Sequence, residues 1–386
     1  MSDRYSPKEM LARLVAFDTT SHKSNLPMAD FIEDYLAGHG IKATRVVSAD
    51  GEKTNLFASI GPEGVGGIAL SGHMDVVPVT GQSWSSDPFT QREEAGKLYG
   101  RGTCDMKGFL ACALAAVPDF AAAPLKHPIY LAFSHDEEVG CVGVRAMIEQ
   151  LGQHLPRPAI VVVGEPTSMK VVDAHKGIHA FTTEFIGRAA HNSMPHLGVN
   201  AIEAAAQFIG EIDRIAAELR RRDDGPRFDP PHTTLAVSTI AGGEAVNIVP
   251  GNCRITWQFR NVPATDPAEV PRRLEEFAEQ KLLPAMRAIE PTAEIATTKR
   301  NEVPSFNAKD GSSAISLALK LAKQNDLYAV SYGTEAGLFE AAETPAVVCG
   351  PGNVAQAHIA DEFIEVSQLE ECSAFLERLA QHASGA

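Results

Sequence analysis

Three short apolar runs, each followed within three residues by a histidine or an acidic residue, constrain the fold of this chain more than any other feature. The runs cover residues 68–70, 129–133 and 159–163, and such runs, bounded by turn-forming residues, are typical of buried strands. Helical patterns over residues 106–116 and 142–151 lie between them. Strands that alternate with helices predict an α/β fold with a mixed, mostly parallel sheet and helices on both of its faces.

The pattern changes after residue 177, which predicts a second, inserted domain. Strands and helices follow one another there in the order β-α-β-β-α-β, which is typical of a ferredoxin-like α+β module. The expected elements cover residues 179–186, 199–222, 233–240, 253–260, 267–289 and 292–298. We therefore expect a first domain made of residues 1–177 and 299–386, with residues 178–298 inserted as a separate domain.

Length and charge narrow the class of protein further. The chain of 386 residues has room for two domains. Its formal net charge of −15 argues against a nucleic-acid partner and offers no basic surface for an anionic membrane. The six cysteines show neither a C-x-x-C pair nor disulfide-like spacing, and no apolar run approaches the length of a membrane span. These features predict a cytoplasmic protein with reduced thiols.

A histidine and an aspartate that are two positions apart, His73 and Asp75, follow shortly after the first apolar run. In an extended backbone such residues point to the same face. A metal-bound imidazole usually donates its other N–H to a carboxylate, so the pair suits a metal ligand with its supporting partner. A strand-end histidine that pairs with an aspartate without any metal is an equally simple explanation of this pair alone.

Further polar residues follow the other predicted strands and loops. Ligands gather outside the carboxyl ends of strands in open α/β sheets, and carboxylates at such buried positions are costly unless they are paired or bind a metal. Each residue alone is as readily a helix cap, a turn residue or a surface charge. The candidates are Asp105, which is expected to start a helix, Asp136, Glu137, Glu138, Glu165 and His358. Imidazole and carboxylate donors without thiolates suit Zn²⁺, Co²⁺ or Mn²⁺ better than Mg²⁺ or Ca²⁺.

Longer motifs extend these short signals over nearly the whole chain. They are GHMDVVP, GKLYGRGTCDMKG, HDEE, GEPTS, AHKG, AHNSMPHLGVNAIE, YGTEAG and QAH, in this order. In sequence and order they resemble the M20 family of metal-dependent amidohydrolases and peptidases. The resemblance implies a zinc-peptidase-like catalytic domain that holds two divalent ions, Zn²⁺ or Co²⁺ with Mn²⁺ as a further candidate. It also implies that the inserted domain joins two copies of the chain in a homodimer.

The resemblance assigns each candidate ligand to an ion. By it, His73 and Glu165 bind one metal, Glu138 and His358 bind the other, and Asp105 bridges the two, with a cis peptide bond to Met106. Asp75 orients His73. Glu137 is the general base, which takes the proton of the attacking water and returns it to the departing amine.

The inserted domain contributes three further candidates by the same resemblance. His191, in GRAAHNSMP, stabilises the tetrahedral oxyanion in the active site of the partner subunit, whereas a plain surface histidine is the simpler alternative. Asn247 and Arg260 contact the substrate carboxylate, for which a guanidinium is well suited. A turn asparagine and a surface arginine at a strand end are equally simple explanations.

The segment VSYGTEAGLF distinguishes the branches of the family. Thr334 and Glu335 match the branch that acts on N²-acetyl-L-ornithine, and Glu335 is placed to face a substrate ammonium unless it is an ordinary exposed glutamate. The implied reaction gives L-ornithine and acetate, a step of arginine synthesis. Acetylcitrulline deacetylase, succinyl-diaminopimelate desuccinylase and dipeptidase activities are alternatives, as is a non-catalytic relative that binds a metal or a partner. We interpret Cys104 and His135 as packing residues or as bystanders without a role in the site.

Overall fold

The computed structural model describes residues 4–64 and 66–385, which form two compact units. The first unit comprises Met1–Asp173, Asn307–Tyr328 and Thr334–Ala386, and the second comprises Ala174–Phe306 and Ala329–Gly333. The second unit is therefore an insertion in the first, and a short later segment of the chain also belongs to it.

The strands of the described chain are mostly short. In chain order they are β1 (Ala43–Val47), β2 (Thr54–Ile60), β3 (Ile68–His73), β4 (Arg92–Glu94), β5 (Lys97–Tyr99), β6 (Ile129–Ser134), β7 (Ile160–Val163), β8 (Val172–His175), β9 (Ile178–Ile186), β10 (Ala190–His191), β11 (Thr234–Gly242), β12 (Ile248–Val249), β13 (Asn252–Arg260), β14 (Glu294–Val303), β15 (Phe306–Asn307), β16 (Tyr328–Val330), β17 (Ala346–Val348) and β18 (Phe363–Glu365).

The helices vary more in length. They are α1 (Pro7–Val15), α2 (Leu26–Gly38), α3 (Lys107–Ala115), α4 (Val117–Ala122), α5 (Val142–Gln150), α6 (Ala201–Leu219), α7 (Glu269–Phe277), α8 (Leu283–Arg287), α9 (Ser313–Ala322), α10 (Ala336–Ala341) and α11 (Val366–Ala383). Two 3₁₀ turns cover Pro195–Leu197 and Val354–Gln356. Among the described residues, no helix is both long enough and apolar enough to cross a membrane.

A nine-stranded sheet follows the order β1-β2-β6-β3-β7-β17-β8-β15, with β16 paired to β8. Its centre is parallel, because β3 runs parallel to β6 and β7, and β7 runs parallel to β17. Every residue of β3 and β6 is buried, as expected for strands covered on both faces. The predicted α/β class with a mostly parallel sheet is confirmed.

Helix α3 packs entirely inside the first unit, since all of its residues are buried. Gly164, directly after β7, makes this approach possible: a Cβ there would lie only 2.1 Å from the ring of Phe109 in α3. The expectation that Asp105 starts this helix is wrong. The cap position is Met106, which has no side-chain oxygen to cap the helix, so the Asp105 carboxylate is free to take other partners.

The inserted unit is built on an antiparallel sheet of order β11-β13-β9-β14. This is the strand order of a ferredoxin-like β-α-β-β-α-β module, which confirms the predicted class. Its core stacks Phe181 on Trp257 and packs Phe185 edge-on against Phe208 of α6. The helix expected over residues 267–289 is interrupted by a π-helical turn before α8, where Pro284 lacks the N–H that an uninterrupted helix requires.

Candidate metal centre

The candidate centre lies at one edge of the large sheet, because four parallel strands end there side by side. β3 ends at His73, which pairs in register with Ser134 at the end of β6. β7 leads directly to Glu165, and β17 leads through a glycine-rich turn to His358. Segments that are far apart in the chain therefore deliver their polar side chains to one place, as expected for the carboxyl ends of parallel strands.

Asp105 stands between the two histidines. One of its oxygens, Oδ1, lies 3.1 Å from Nε2 of His73, and the other, Oδ2, lies 3.2 Å from Nε2 of His358. The peptide bond from Asp105 to Met106 is cis. A carboxylate whose two oxygens face two different imidazoles has the arrangement that a shared ligand of two cations needs.

Two glutamates complete the cluster, one beside each histidine. Glu165 Oε1 lies 3.7 Å from His73 Nε2 and is buried without a hydrogen-bond partner. Glu138 approaches Nε2 of His358 to 3.1 Å. The donor atoms of His73, Asp105 and Glu138 lie within 4.8 Å of one another, and so do those of His73, Glu137 and Glu165. The structure thus brings together the five predicted ligands and also places Glu137 beside them.

The charges of this cluster are unbalanced. Burial, with the neighbouring carboxylates, raises the pKa of Glu137 to about 8 and that of Glu138 to about 7, and it raises the pKa of Glu165 well above the usual range. Burial would also raise the pKa of Asp105, but hydrogen bonds from His358 and His73 outweigh it and lower that pKa. Carboxyl groups crowded at this density are expensive to ionise together unless cations compensate them.

The residues present fit a pair of divalent ions. Two imidazoles and three carboxylates, with no thiolate among them, form a donor set suited to Zn²⁺, Co²⁺ or Mn²⁺. The unpartnered Oε1 of Glu165 supports this interpretation, since a buried carboxylate oxygen is seldom left without a hydrogen bond or a cation.

Asp75 lies behind the cluster, buried, and its carboxylate makes more contacts than the H-x-D pattern implies. Its Oδ1 is 3.7 Å from Nδ1 of His73, whereas its backbone oxygen is only 2.9 Å from that atom. Its carboxylate instead accepts hydrogen bonds from the backbone N–H groups of Glu137, at 3.0 Å, and Glu138, at 3.3 Å, and from the Ser21 hydroxyl at 2.8 Å. Asp75 therefore holds the loop that carries both glutamates.

The segment after residue 333 lies beneath the cluster. Thr334 and Glu335 are both buried, and the Thr334 hydroxyl accepts a hydrogen bond from the N–H of Ala336. The Glu335 carboxylate accepts hydrogen bonds from the hydroxyls of Ser71, at 3.0 Å, and Ser134. Glu335 is therefore not an ordinary exposed glutamate, and a contact of either residue with substrate stays a prediction.

The three candidates of the inserted unit lie at or near its surface. His191 is exposed in β10, and its Nδ1 accepts a 3.2 Å hydrogen bond from the backbone N–H of Ser193. Asn247 is exposed, and its backbone oxygen accepts from Asn192. Arg260, at the end of β13, is partly buried and donates to the Ser331 carbonyl oxygen at 3.4 Å. Their roles stay predictions.

Several supporting residues escaped the sequence patterns. The Cys141 thiol donates to Glu137 Oε1 across 3.1 Å, and the Cys104 thiol donates to the carbonyl oxygen of Asn353 across 3.3 Å. Cys141 stands four positions after Glu137, and this short spacing is the feature of the sequence that could have indicated their contact. The next acidic candidate, Asp136, is paired with Lys53 at 2.5 Å and is not among the candidate metal-ligand groups of the described residues.

A family model and curated relatives both match nearly the whole chain or most of it. The model of Peptidase family M20/M25/M40 matches residues 69–382. An acetylornithine deacetylase of Myxococcus xanthus is 36% identical over 380 residues, which cover 97% of each chain. An acetylornithine deacetylase of Proteus mirabilis is 32% identical over 369 residues, which cover 95% of this chain and 92% of the relative.

Solved structures share the fold at lower sequence identity. An M20 family metallo-carboxypeptidase from Sulfolobus solfataricus superposes with a TM-score of 0.77 at 17% identity. The match covers 99% of this chain and 100% of the carboxypeptidase chain. A dinuclear metal-binding peptidase of Bacillus subtilis gives a TM-score of 0.65 at 16% identity, over 97% of this chain and 98% of its own.

Proposed function

Since the chain belongs to peptidase family M20/M25/M40, we propose that it hydrolyses the amide of an N-acyl amino acid, with N²-acetyl-L-ornithine as the first candidate. The products are acetate and L-ornithine, in a step of arginine synthesis. The observation that carries the reaction class is Asp105, whose two oxygens face His73 and His358 inside a buried carboxylate cluster. The substrate rests on the two relatives named acetylornithine deacetylase, which match nearly the whole chain.

Five side chains would hold two divalent ions, Zn²⁺ or Co²⁺, in the first unit. His73 and Glu165 would bind one ion, Glu138 and His358 the other, and Asp105 would serve both. The contacts of 3.1–3.7 Å that these groups make with one another support this assignment. Bound ions supply Lewis acidity, which polarises the amide carbonyl and lowers the pKa of water.

Glu137 is the group that transfers a proton from the attacking water to the departing amine. Its carboxylate lies within 4.0 Å of His73 Nε2, but it is not needed to complete the two ligand sets. It takes one proton from water as the water oxygen attacks the carbonyl carbon, and it delivers that proton to the amide nitrogen as the C–N bond breaks. Burial raises its pKa to about 8 in the metal-free cluster, and cations bound beside it would lower that pKa, so that the carboxylate is ionised and can accept the proton. Asp75 holds this carboxylate in place through the Glu137 backbone.

The inserted unit is proposed to act across a homodimer. His191 accepts a backbone hydrogen bond at Nδ1, so its ring proton is on Nε2, which is free to donate to an oxyanion. Asn247 and Arg260 are proposed to bind the substrate carboxylate, and Thr334 and Glu335 to line the site. A homodimer, these contacts and a cytoplasmic location stay proposals.

A substrate screen tests this function. Metal-loaded protein is assayed against N²-acetyl-L-ornithine, acetylcitrulline, acetylmethionine, succinyl-diaminopimelate and several dipeptides, and chelated protein with Zn²⁺ or Co²⁺ added back serves as the control. We expect acetylornithine to give the highest kcat/KM and chelation to abolish it. If succinyl-diaminopimelate ranks far above acetylornithine, the substrate is wrong and the hydrolytic mechanism stands. If no compound is cleaved with or without metal, a non-catalytic relative is the better description.

A further inference from the structure

Two loops that carry proposed metal ligands rise from one pair of short strands. β5 and β18 are antiparallel, with Tyr99 opposite Phe363. The chain that leaves β5 leads to Asp105, and the chain that enters β18 comes from His358. Just beyond the strands, the N–H of Gly100 donates to the carbonyl oxygen of Glu362 at 2.9 Å. The two ligand loops therefore share one support.

The Glu362 side chain is hydrogen-bonded to the backbone of the loop that carries Asp105. Its side chain is about as deeply buried as that of Arg101, each only 1% exposed, and the two pair at 2.6 Å through Glu362 Oε2. The other oxygen, Oε1, accepts the backbone N–H groups of Cys104, at 2.9 Å, and Asp105, at 3.1 Å. Both carboxylate oxygens of Glu362 are thus used, one for the charge pair and one for the backbone beside the shared ligand.

Arg101 links Glu362, through Gln82, to the loop that carries His358. Its Nη2 donates to Oε1 of Gln82, and its Nη1 also lies 3.4 Å from the carbonyl oxygen of Ile359. The amide nitrogen of Gln82 then donates to the carbonyl oxygen of His358 at 2.8 Å. A continuous chain of hydrogen bonds therefore runs from the backbone of Asp105 to the backbone of His358.

We propose that Glu362, Arg101 and Gln82 are positioning residues that fix the spacing between Asp105 and His358. They thereby set the affinity for the ion assigned to Glu138 and His358, which is called the second ion below. The proposal rests on the proposed function, because it takes the ligand set from there. None of the three side chains is itself a proposed ligand or substrate contact. Groups that orient metal ligands are typically worth 10- to 100-fold in metal affinity when they are removed.

Gln82→Ala and Glu362→Gln test this proposal in different ways. Gln82 is only partly buried, so its truncation removes the bond to His358 with little risk to folding. Glu362→Gln keeps one oxygen for the backbone N–H groups but removes the charge that Arg101 pairs with. Gln207→Ala is the matched control, because Gln207 is exposed on α6 of the inserted unit.

Full-length, metal-free proteins are titrated with Co²⁺ and followed by calorimetry and by visible absorption. We expect two ions per wild-type chain, and a second-ion affinity about 10- to 100-fold weaker in both test variants, with an altered Co²⁺ spectrum. Gln207→Ala should match wild type. Acetylornithine turnover by Gln82→Ala should recover at saturating Co²⁺, because the lost quantity is affinity and the reacting groups are intact.

The outcomes separate this proposal from the proposed function. Second-ion affinities within twofold of wild type in both variants would overturn the positioning role. If Glu362→Gln does not fold, as judged by thermal unfolding of the metal-free protein, Gln82→Ala alone decides. Wild-type protein that takes up no Co²⁺ refutes the metal centre and this inference with it. Wild-type protein that binds two ions but cleaves no acyl amino acid refutes the proposed hydrolysis, while the measured affinities still decide the positioning role.

Discussion

The backbone N–H of Glu137, in the loop after β6, donates a 3.0 Å hydrogen bond to the carboxylate of Asp75, in the segment after β3. The proposed general base is therefore positioned by its main chain as well as by its side chain. Because the N–H of Glu138 also points to Asp75, one buried carboxylate fixes two consecutive acidic residues. The tasks proposed for them, proton transfer for Glu137 and metal binding for Glu138, would depend on that shared anchor.

Replacing Asp75 by asparagine should loosen this anchor. The asparagine oxygen can accept one of the two N–H groups, but its NH₂ group cannot accept the other. We expect kcat to fall about 10- to 100-fold with metal content retained, measured by steady-state kinetics beside metal analysis. Ser21→Ala removes the 2.8 Å hydroxyl contact to Asp75 and a longer one, of 3.4 Å, to the Val76 carbonyl oxygen. It leaves both backbone contacts of Asp75 in place and should cost about fivefold or less. Equal losses in the two variants would contradict the anchoring role.

Replacing Glu137 by alanine or glutamine should separate chemistry from metal binding. Both variants lack a group that can take up the proton of water, so we expect kcat to fall at least about 10²- to 10⁴-fold while two ions remain bound. Metal analysis and single-turnover kinetics check both parts. Glu149→Gln, an exposed position on α5, is the control. Glu137→Ala activity within a few-fold of wild type would rule out Glu137 as the general base.

Metal binding should release protons and strengthen as the pH rises. Hydrogen bonds to Asp105 and Glu138 raise the pKa of His358 to about 10, and the pKa of Glu138 is about 7. At pH 7 the metal-free protein therefore holds protons that ligation must displace, so affinity increases toward higher pH. Calorimetry at pH 7 in buffers of different ionisation enthalpy measures the released protons. An affinity that stays flat between pH 6 and 9 would contradict this linkage.

Glu335→Ala should destabilise the first unit. The change leaves the buried hydroxyls of Ser71 and Ser134 without their acceptor and opens a cavity, so we expect the free energy of unfolding to fall by about 2–4 kcal/mol. Urea denaturation measures it, and Glu370→Ala, exposed on α11, is the control. If Glu335 instead contacts a substrate ammonium, Glu335→Gln will raise KM for acetylornithine much more than for acetylmethionine.

The sequence predicts the sheet and its edge well, because the signals involved are local. An apolar run that stops at His73 or just before Glu165 marks both a strand and the place where its polar side chain emerges. Parallel neighbours then end together, so the convergence of His73 with Glu165 follows from strand order. Asp105 comes instead from the loop after β5, which belongs to a separate three-stranded sheet. The ligand roles themselves stay predictions, since proximity alone does not assign an ion.

The supporting contacts were beyond prediction, because they depend on which distant segments meet. The H-x-D spacing ties Asp75 to His73, yet the carboxylate mainly holds the backbone of Glu137. Glu335 has the sequence context of an exposed glutamate, and only two serines on neighbouring strands make its burial tolerable. Glu362 likewise stands in an unremarkable polar segment, although it is buried against Arg101. The predicted start of α3 was wrong for a related reason. The Asp105 carboxylate contacts His73 and His358 and does not cap the helix.

The pairing of β5 with β18 has a consequence for how the protein folds. Tyr99 lies opposite Phe363 although the whole inserted unit stands between them in the sequence. Contacts between such distant segments carry a large loop-closure cost, so we expect this pair of strands to form late in folding. The loop of His358 should therefore reach the loop of Asp105 only after the central strands of the first unit have paired.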